Sequence, residues 1–213
     1  VSCRSQEQAP RGPVQRIRDW LHESRASRAT DEDASDMVAW AAGDEKAIER
    51  IIERWTPRLH SFLTRFLGSE SDVPDLIQET FLRVHRHHRR YKPHKPFSTW
   101  IFQICSNLAR NHLRSGRRRP AQPTCPTVLS DLPLEDAAST PGDKLEVAER
   151  VEQVRRAVLN LPPLARETLV LSVYEELPHS EIAKIMKTTE KAVELRLYRA
   201  RQLLRAELGD VID

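Results

Sequence analysis

Between Tyr91 and Arg114, aromatic and cationic side chains alternate in a way that could grip nucleic acid. Phe97, Trp100 and Phe102, flanked by Tyr91, interleave with Lys92, His94, Lys95, Asn107, Arg110, Asn111 and Arg114. Rings and guanidinium planes beside a cationic track suit the unstacked bases of a single strand, each stacked base contributing about 1–3 kcal/mol. Asn107, Asn111 and Arg114, at intervals of four and three, would share one helical face and together contact one strand. Trp100, Ile104 and Leu108 also recur on one face, so Trp100 reads equally as core, and the polar residues equally as a solvated surface.

Charge distribution sharpens this. The 213-residue chain carries a formal charge of only +3, yet residues 75–119 hold 11 Lys/Arg against 2 Asp/Glu. Residues 1–74 sum to −2, residues 120–150 to −4 and residues 151–213 to zero. A local field of that size attracts polyanions. The same segment holds His85, His87, His88, His94 and His112, but no HExxH spacing or carboxylate-bracketed pair accompanies them, so no metal site is read there. Cys3, Cys105 and Cys125 are far apart and form no CxxC, which excludes a disulfide framework and fits a reducing compartment. No P-loop, GxGxxG or Ser/His/Asp pattern appears, so the chain reads as a binding protein without a cofactor or catalysis of its own.

A second constellation lies at 180–201. A short helix carrying Ile182, Ala183, Ile185 and Met186 meets another carrying Ala192, Val193, Leu197 and Ala200 through a turn of about three residues, the spacing of a helix-turn-helix. Thr189 is placed to cap the second helix, which leaves Glu190, Lys191, Glu194 and Leu195 on its outer N-terminal face, where base edges are met. Lys187, Arg196, Arg199 and Arg201 are placed for phosphates. A plain helical hairpin with charged outer faces is the competing reading. A third stretch, Asp75 to Val84, sets exposed Asp75, Gln78, Glu79 and Arg83 beside Leu76, Ile77, Phe81 and Val84, which suits either a partner-docking helix or an ordinary core helix.

The elements that must position these groups are all helical. Only six glycines occur, and no β-branched run alternates with period two. Residues 1–34 have little apolar content and read as a disordered extension, with at most a short helix around Ile17–Leu21. Ser35 is placed to cap a helix ending at Gly43. Asp44 is placed to cap one running through Ile48 to Phe66, interrupted near Thr56 by Pro57 and ended by Gly68. A third helix starts near Pro74 and runs toward Arg90, and a fourth, capped by Ser98, ends at Gly116. Residues 120–142, with five prolines among 120–141, read as a linker. Helical periodicity resumes at about Asp143 in four pieces. The expected organisation is two small all-α domains, 35–119 and 143–213, joined by the linker. No stretch is long and apolar enough to cross a membrane, no secretory segment is read at the N-terminus, and a cytoplasmic location is expected.

Asp75-Leu-Ile-Gln-Glu-Thr-Phe-Leu-Arg-Val84, Phe97-Ser-Thr-Trp-Ile101 with Asn107 and Leu113-Arg114, and the series Leu161-Pro-Pro, Glu181-Ile-Ala, Val193, Arg196-Leu and Arg199-Ala-Arg201 stand in this order. The chain thereby resembles the extracytoplasmic-function sigma factors of bacterial RNA polymerase, over about 36–119 and 145–208. The resemblance implies a transcription initiation subunit that binds core polymerase through Asp75, Leu76, Gln78, Glu79, Phe81 and Arg83. It implies that the loop and helix at 91–114, including Lys92, His94, Lys95, Phe97, Ser98, Thr99, Trp100, Asn107, Arg110, Asn111 and Arg114, read and melt the minus-ten element. It also implies that the helix 189–201 reads the minus-thirty-five duplex through Lys187, Thr189, Glu190, Lys191, Glu194, Arg196, Arg199 and Arg201. The partners would be core polymerase and promoter DNA, with an anti-sigma factor left open. A dimeric helix-turn-helix regulator independent of polymerase is the alternative. Asn111 departs from the family's usual Asp, Pro178 from its Ser or Thr cap, Lys187 from its Gly, and Ala192 from its Thr.

Overall fold

A computed structural model gives the backbone of residues 32–116 and 141–209, and the side chains of 32–115 and 148–209. Among them every regular element is helical: α1 (residues 32–41), α2 (Glu45–Leu67), α3 (Val73–His87) with a 3-10 turn (His88–Arg90), α4 (Phe97–Gly116), α5 (Pro141–Asn160), α6 (Pro163–Val173), α7 (His179–Met186) and α8 (Glu190–Leu208). The all-α expectation holds. Residues 1–31, including Cys3 and the helix expected around Ile17–Leu21, and residues 117–140, comprising most of the expected linker with Cys125, lie outside the described residues.

The long helix α2 is the spine of the molecule. The Asp44 carboxylate accepts from the Lys46 N–H at 3.1 Å, satisfying a first-turn donor. Ile51, Trp55, Leu59, Phe62, Leu63 and Phe66 all turn inward. Gly68 ends the helix in the left-handed region at φ +74°, and a Cβ there would stand 2.6 Å from a Leu159 methyl of α5. The left-handed turn is what favours glycine, and the Leu159 side chain would have to shift to admit a larger residue.

Pro57 does not interrupt α2, contrary to the sequence expectation. A proline inside a helix costs about 3 kcal/mol. Flanking Trp55 and Leu59 are 1% and 0% exposed. Burying two such side chains contributes about 1.5–3 kcal/mol each and outweighs the lost hydrogen bond.

Helix is present earlier than expected. α1 already includes residues 32–34 because Asp33 and Asp36 are drawn onto α2 by side chains far along the chain. Arg54 pairs with Asp33 and, at 2.8 Å, with Asp36, while the Trp55 indole N–H donates to Asp33 at 3.0 Å. Burial nonetheless pushes the Asp33 carboxyl above its ordinary range, with Trp55 and Arg54 opposing. Two smaller shifts accompany this: α4 includes Phe97 and has Ser98 in its first turn, and α5 begins at Pro141.

The expected halves do not stand apart. α2 packs against α5 and α6, and α4 against α7, so one buried apolar cluster runs from Met37 to Ala200. Arg166 of α6 donates to the carbonyl of Phe66 at 3.0 Å and to that of Leu161 at 3.1 Å, and also to that of Leu159, tying the end of α2 to the turn between α5 and α6.

Candidate nucleic-acid interface

The basic segment is seated by its aromatics. Phe97 is fully buried, with its ring 5.4 Å from Trp55, 5.7 Å from Tyr91 and 5.8 Å from Trp100. Its position at the head of α4 therefore makes it a packing residue in this conformation rather than a stacking platform. Trp100 and Tyr91 remain half-buried, their rings 5.4 Å apart. The Tyr91 hydroxyl donates to the Lys95 carbonyl at 2.9 Å, and burial pushes its pKa up to about 12, so it stays a donor. This clasp, with the Lys95 N–H to Lys92 carbonyl bond of 2.9 Å, holds the loop in a turn that presents Lys92, His94 and Lys95 to solvent.

Along α4 the expected polar face is split. Asn111 and Arg114 are exposed, whereas Asn107 and Arg110 turn toward the other half of the molecule. Arg110 donates to Asn107 at 2.5 Å and to Glu167 of α6 at 2.9 Å. Thr99 donates to Glu181 of α7 at 3.0 Å. Ser98 lies half-buried in the first turn.

α3 divides into an inner and an outer side. Leu76 and Phe81 are each 9% exposed and belong to the core cluster, while Asp75 and Gln78 face solvent and Glu79 pairs with Arg83 at 2.7 Å. Between α2 and α3 opens an apolar groove of about 680 Å³, lined by Ile48, Ile52, Ile77, Phe81 and Leu82 with Gln78 at its edge. Ile52 and Leu82 are 38% and 43% exposed, large apolar side chains without a cover among the described residues. Sequence reading counts Ile52 in the inward stripe of α2 and does not single out Leu82; both sit one position off the buried stripe.

The helix-turn-helix forms as its spacing predicts. Ile182, Ala183, Ile185 and Met186 of α7 are buried against Val193, Leu197 and Ala200 of α8. Lys187 closes α7 in the left-handed region at φ 51°, taking the conformation that glycine usually supplies. Pro178 stands at the N-cap of α7 with no side-chain cap bond. Thr189 caps α8, accepting from the Ala192 N–H at 3.2 Å.

Glu190, Lys191, Glu194, Arg199 and Arg201 project outward, joined by Tyr198, 60% exposed, which the sequence reading did not single out. Arg196, expected to reach phosphate, is less exposed than Arg199 and Arg201. It is half-buried, with Nη1 3.8 Å from the Met186 sulfur and its charge bearing on Glu167, because its helical position faces α7 rather than solvent.

Sequence reading also gave no site role to three acids that meet α2 and α4. Glu167, 0% exposed, meets Arg110, and Glu175 meets Arg58 at 3.3 Å. Burial raises both carboxyl pKa values, opposed by Arg110 and Arg58 respectively. Glu181 receives Thr99. The available signal for Glu167 was a carboxylate just ahead of the apolar stretch Leu169 to Leu171.

Comparison with known proteins gives a consistent answer. Residues 51–119 match the family Sigma-70 region 2, and residues 151–204 match Sigma-70, region 4. The chain is 30% identical over 167 residues to the ECF RNA polymerase sigma-E factor of Escherichia coli (strain K12), covering 76% of this chain and 86% of that protein. It is 29% identical over 173 residues to the sigma-E factor of Haemophilus influenzae, covering 76% of this chain and 87% of that protein. Among solved structures, CnrH in complex with the cytosolic domain of CnrY is similar with a TM-score of 0.62 and 25% identity, over 85% of this chain and 99% of that one. The fold of a sigma factor RpoE in complex with the anti-sigma factor NepR, from Bartonella quintana, is also similar, with a TM-score of 0.60 at 18% identity over 78% and 98%. A capped helix-turn-helix, a basic aromatic helix ahead of it, and relatives of this identity and coverage together place the chain in the extracytoplasmic-function family of RNA polymerase sigma factors.

Proposed function

We propose that this sigma factor divides promoter recognition between its halves and adds no catalysis of its own. Core polymerase docks on the α2–α3 groove and the neighbouring Asp75, Gln78, Glu79 and Arg83, with Leu76 and Phe81 forming the groove's floor and backing. The loop at 92–96 and α4 meet the opened minus-ten strand through Lys92, His94, Lys95, Ser98, Thr99, Trp100, Asn107, Arg110, Asn111 and Arg114, and Phe97 positions them from beneath. α8 enters the major groove of the minus-thirty-five element with Thr189, Glu190, Lys191 and Glu194 near base edges and Lys187, Arg199 and Arg201 on phosphates. In this reading the chain works in the cytoplasm beside DNA and polymerase, and an anti-sigma partner is supported by the complexes in which CnrH and the Bartonella protein were solved.

The observation that carries the reading is α8: its inner stripe is sealed on α7, its first turn is capped by Thr189, and its cationic outer face is uncovered. The decisive experiment mixes the chain with bacterial core polymerase and transcribes a promoter library. Co-elution with core, and selection of templates with two elements at fixed separation, are expected. Failure to bind core would overturn the proposal.

A further inference from the structure

The two helices assigned to DNA are held differently. On α4, Thr99, Gln103, Asn107 and Arg110 recur at intervals of four, four and three, so they share one face. That face is engaged from end to end. Thr99 donates to Glu181 at 3.0 Å, Gln103 donates to the Lys184 carbonyl at 3.2 Å, and Arg110 donates to Glu167 at 2.9 Å while its other nitrogen holds Asn107 at 2.5 Å. Beside this row, Arg58 pairs with Glu175, whose side chain is 5% exposed, and the Arg65 guanidinium lies 4.4 Å over the Tyr174 ring. An anionic oxygen on Arg110 is what a phosphate would supply, and here it comes from α6.

We propose that this contact is an autoinhibitory latch: Glu167 occupies Arg110 and α7 covers the Thr99–Arg110 face of α4, so that face is closed to single-stranded DNA in the free chain, which keeps only the 92–96 loop, Asn111 and Arg114 exposed to it, while α8 stays open to duplex. The inference rests on the reading that α4 meets the opened strand. Two features bear on its opening. The row's specific contacts are polar, and taking charges out of water nearly cancels the attraction a buried ion pair gains, so closure rests mainly on the apolar packing of α2 on α5 and α6 and of α4 on α7. Two other working surfaces, the α2–α3 groove and the outer face of α8, lie uncovered in the closed form, so polymerase and duplex can engage before the halves part. A minority open form would lower the apparent affinity for single strands by its own fraction.

The test opens and locks the latch without touching residues assigned to DNA. Arg58→Glu sets a second carboxylate against Glu175 and should part the halves. In a Cys3→Ser, Cys125→Ser background, fluorophores on Arg86→Cys and Gln202→Cys, both exposed in the parent chain, report the separation by energy transfer. The DNA probes are fluorescein-labelled random single strands and random duplex. With Arg58→Glu, energy transfer should fall and single-strand affinity rise about tenfold as the open fraction grows, with duplex affinity unchanged. Unchanged transfer and unchanged affinity would overturn the latch. Reduced transfer with unchanged single-strand affinity would overturn the occlusion claim by removing the α4 reading beneath it. Should Arg58→Glu fail to fold, Gln103→Cys with Lys184→Cys, bridged by a short bis-maleimide, decides the matter. Bridging should lower single-strand affinity to that of the closed form while duplex binding persists, and single-strand affinity unchanged by bridging refutes the proposal.

Discussion

α4 and α8 are both amphipathic helices with cationic outer positions, yet one is committed inside the molecule and the other is free. α4 spends Thr99, Gln103 and Arg110 on partners in α6 and α7, and among its described side chains only Asn111, Arg114 and Ser115 near its end are exposed. α8 buries Val193, Leu197 and Ala200 and leaves Lys191, Glu194, Arg199 and Arg201 uncovered. In the function proposed above, the difference follows from what each helix would meet. A duplex offers its major groove to any exposed helix, whereas bases of an opened strand exist only after melting. A face waiting for such a ligand would otherwise stand as a sticky cationic surface, and internal carboxylates keep it satisfied.

The sharpest way to break this comparison is to exchange buried for exposed aromatic residues as targets. Phe97→Ala should cost about 3–5 kcal/mol, since it empties a fully buried site under α4, and should appear as a large fall in melting temperature. Tyr198→Ala on α8 should change stability by no more than about 0.5 kcal/mol while weakening duplex binding. A small loss for Phe97→Ala would mean that the head of α4 is not fixed by packing.

Arg199→Ala should reduce the slope of log affinity against log salt for duplex by about one, measured by fluorescence anisotropy across a salt series. Arg196→Ala, lying against Met186, should leave that slope unchanged; a matching drop would place Arg196 on phosphate and contradict its inward orientation. Thr189→Ala removes the α8 cap and should cost about 1 kcal/mol in chemical denaturation without altering single-strand binding by an opened chain.

The smallest effect concerns pH. Burial raises the Glu167 carboxyl against Arg110 and Arg196, and that of Glu175 against Arg58 and Arg65, with Glu176 adding to the rise. A carboxyl whose pKa is raised in the closed form binds protons more tightly there than in the open form. Closure should therefore strengthen as pH falls from neutrality toward the ordinary carboxylate range, and fade as pH rises through the raised values. Energy transfer between the labelled halves should increase on mild acidification, and a decrease would mean that the guanidinium contacts outweigh burial.

Local chemistry explains why so much of this was readable from residues in a row. The Asp44 and Thr189 caps, the Gly68 stop, the inward stripe of α7 and the tight turn before α8 all depend on neighbours within a few positions, where spacing alone carries the information. The readings that failed were those in which distant partners decided. Pro57 lies within an unbroken α2 because the flanking side chains are buried by other helices. Residues 32–34 are already helical because Arg54 and Trp55 reach back across the sequence to Asp33. Lys187 occupies the left-handed end of α7 where composition favours glycine.

By itself, then, the order of residues determined the helical class, the helix-turn-helix and the concentration of positive charge at 75–119. Periodicity, caps and charge are properties of short stretches, and they survive whatever the rest of the chain does. Only the tertiary structure decided that Arg110 faces Glu167, that Arg196 turns inward and that Ile52 and Leu82 line one groove. Arg110 and Glu167 belong to helices on opposite sides of residues 117–140, so their meeting depends on how α4, α6 and α7 pack. No local pattern encodes that packing.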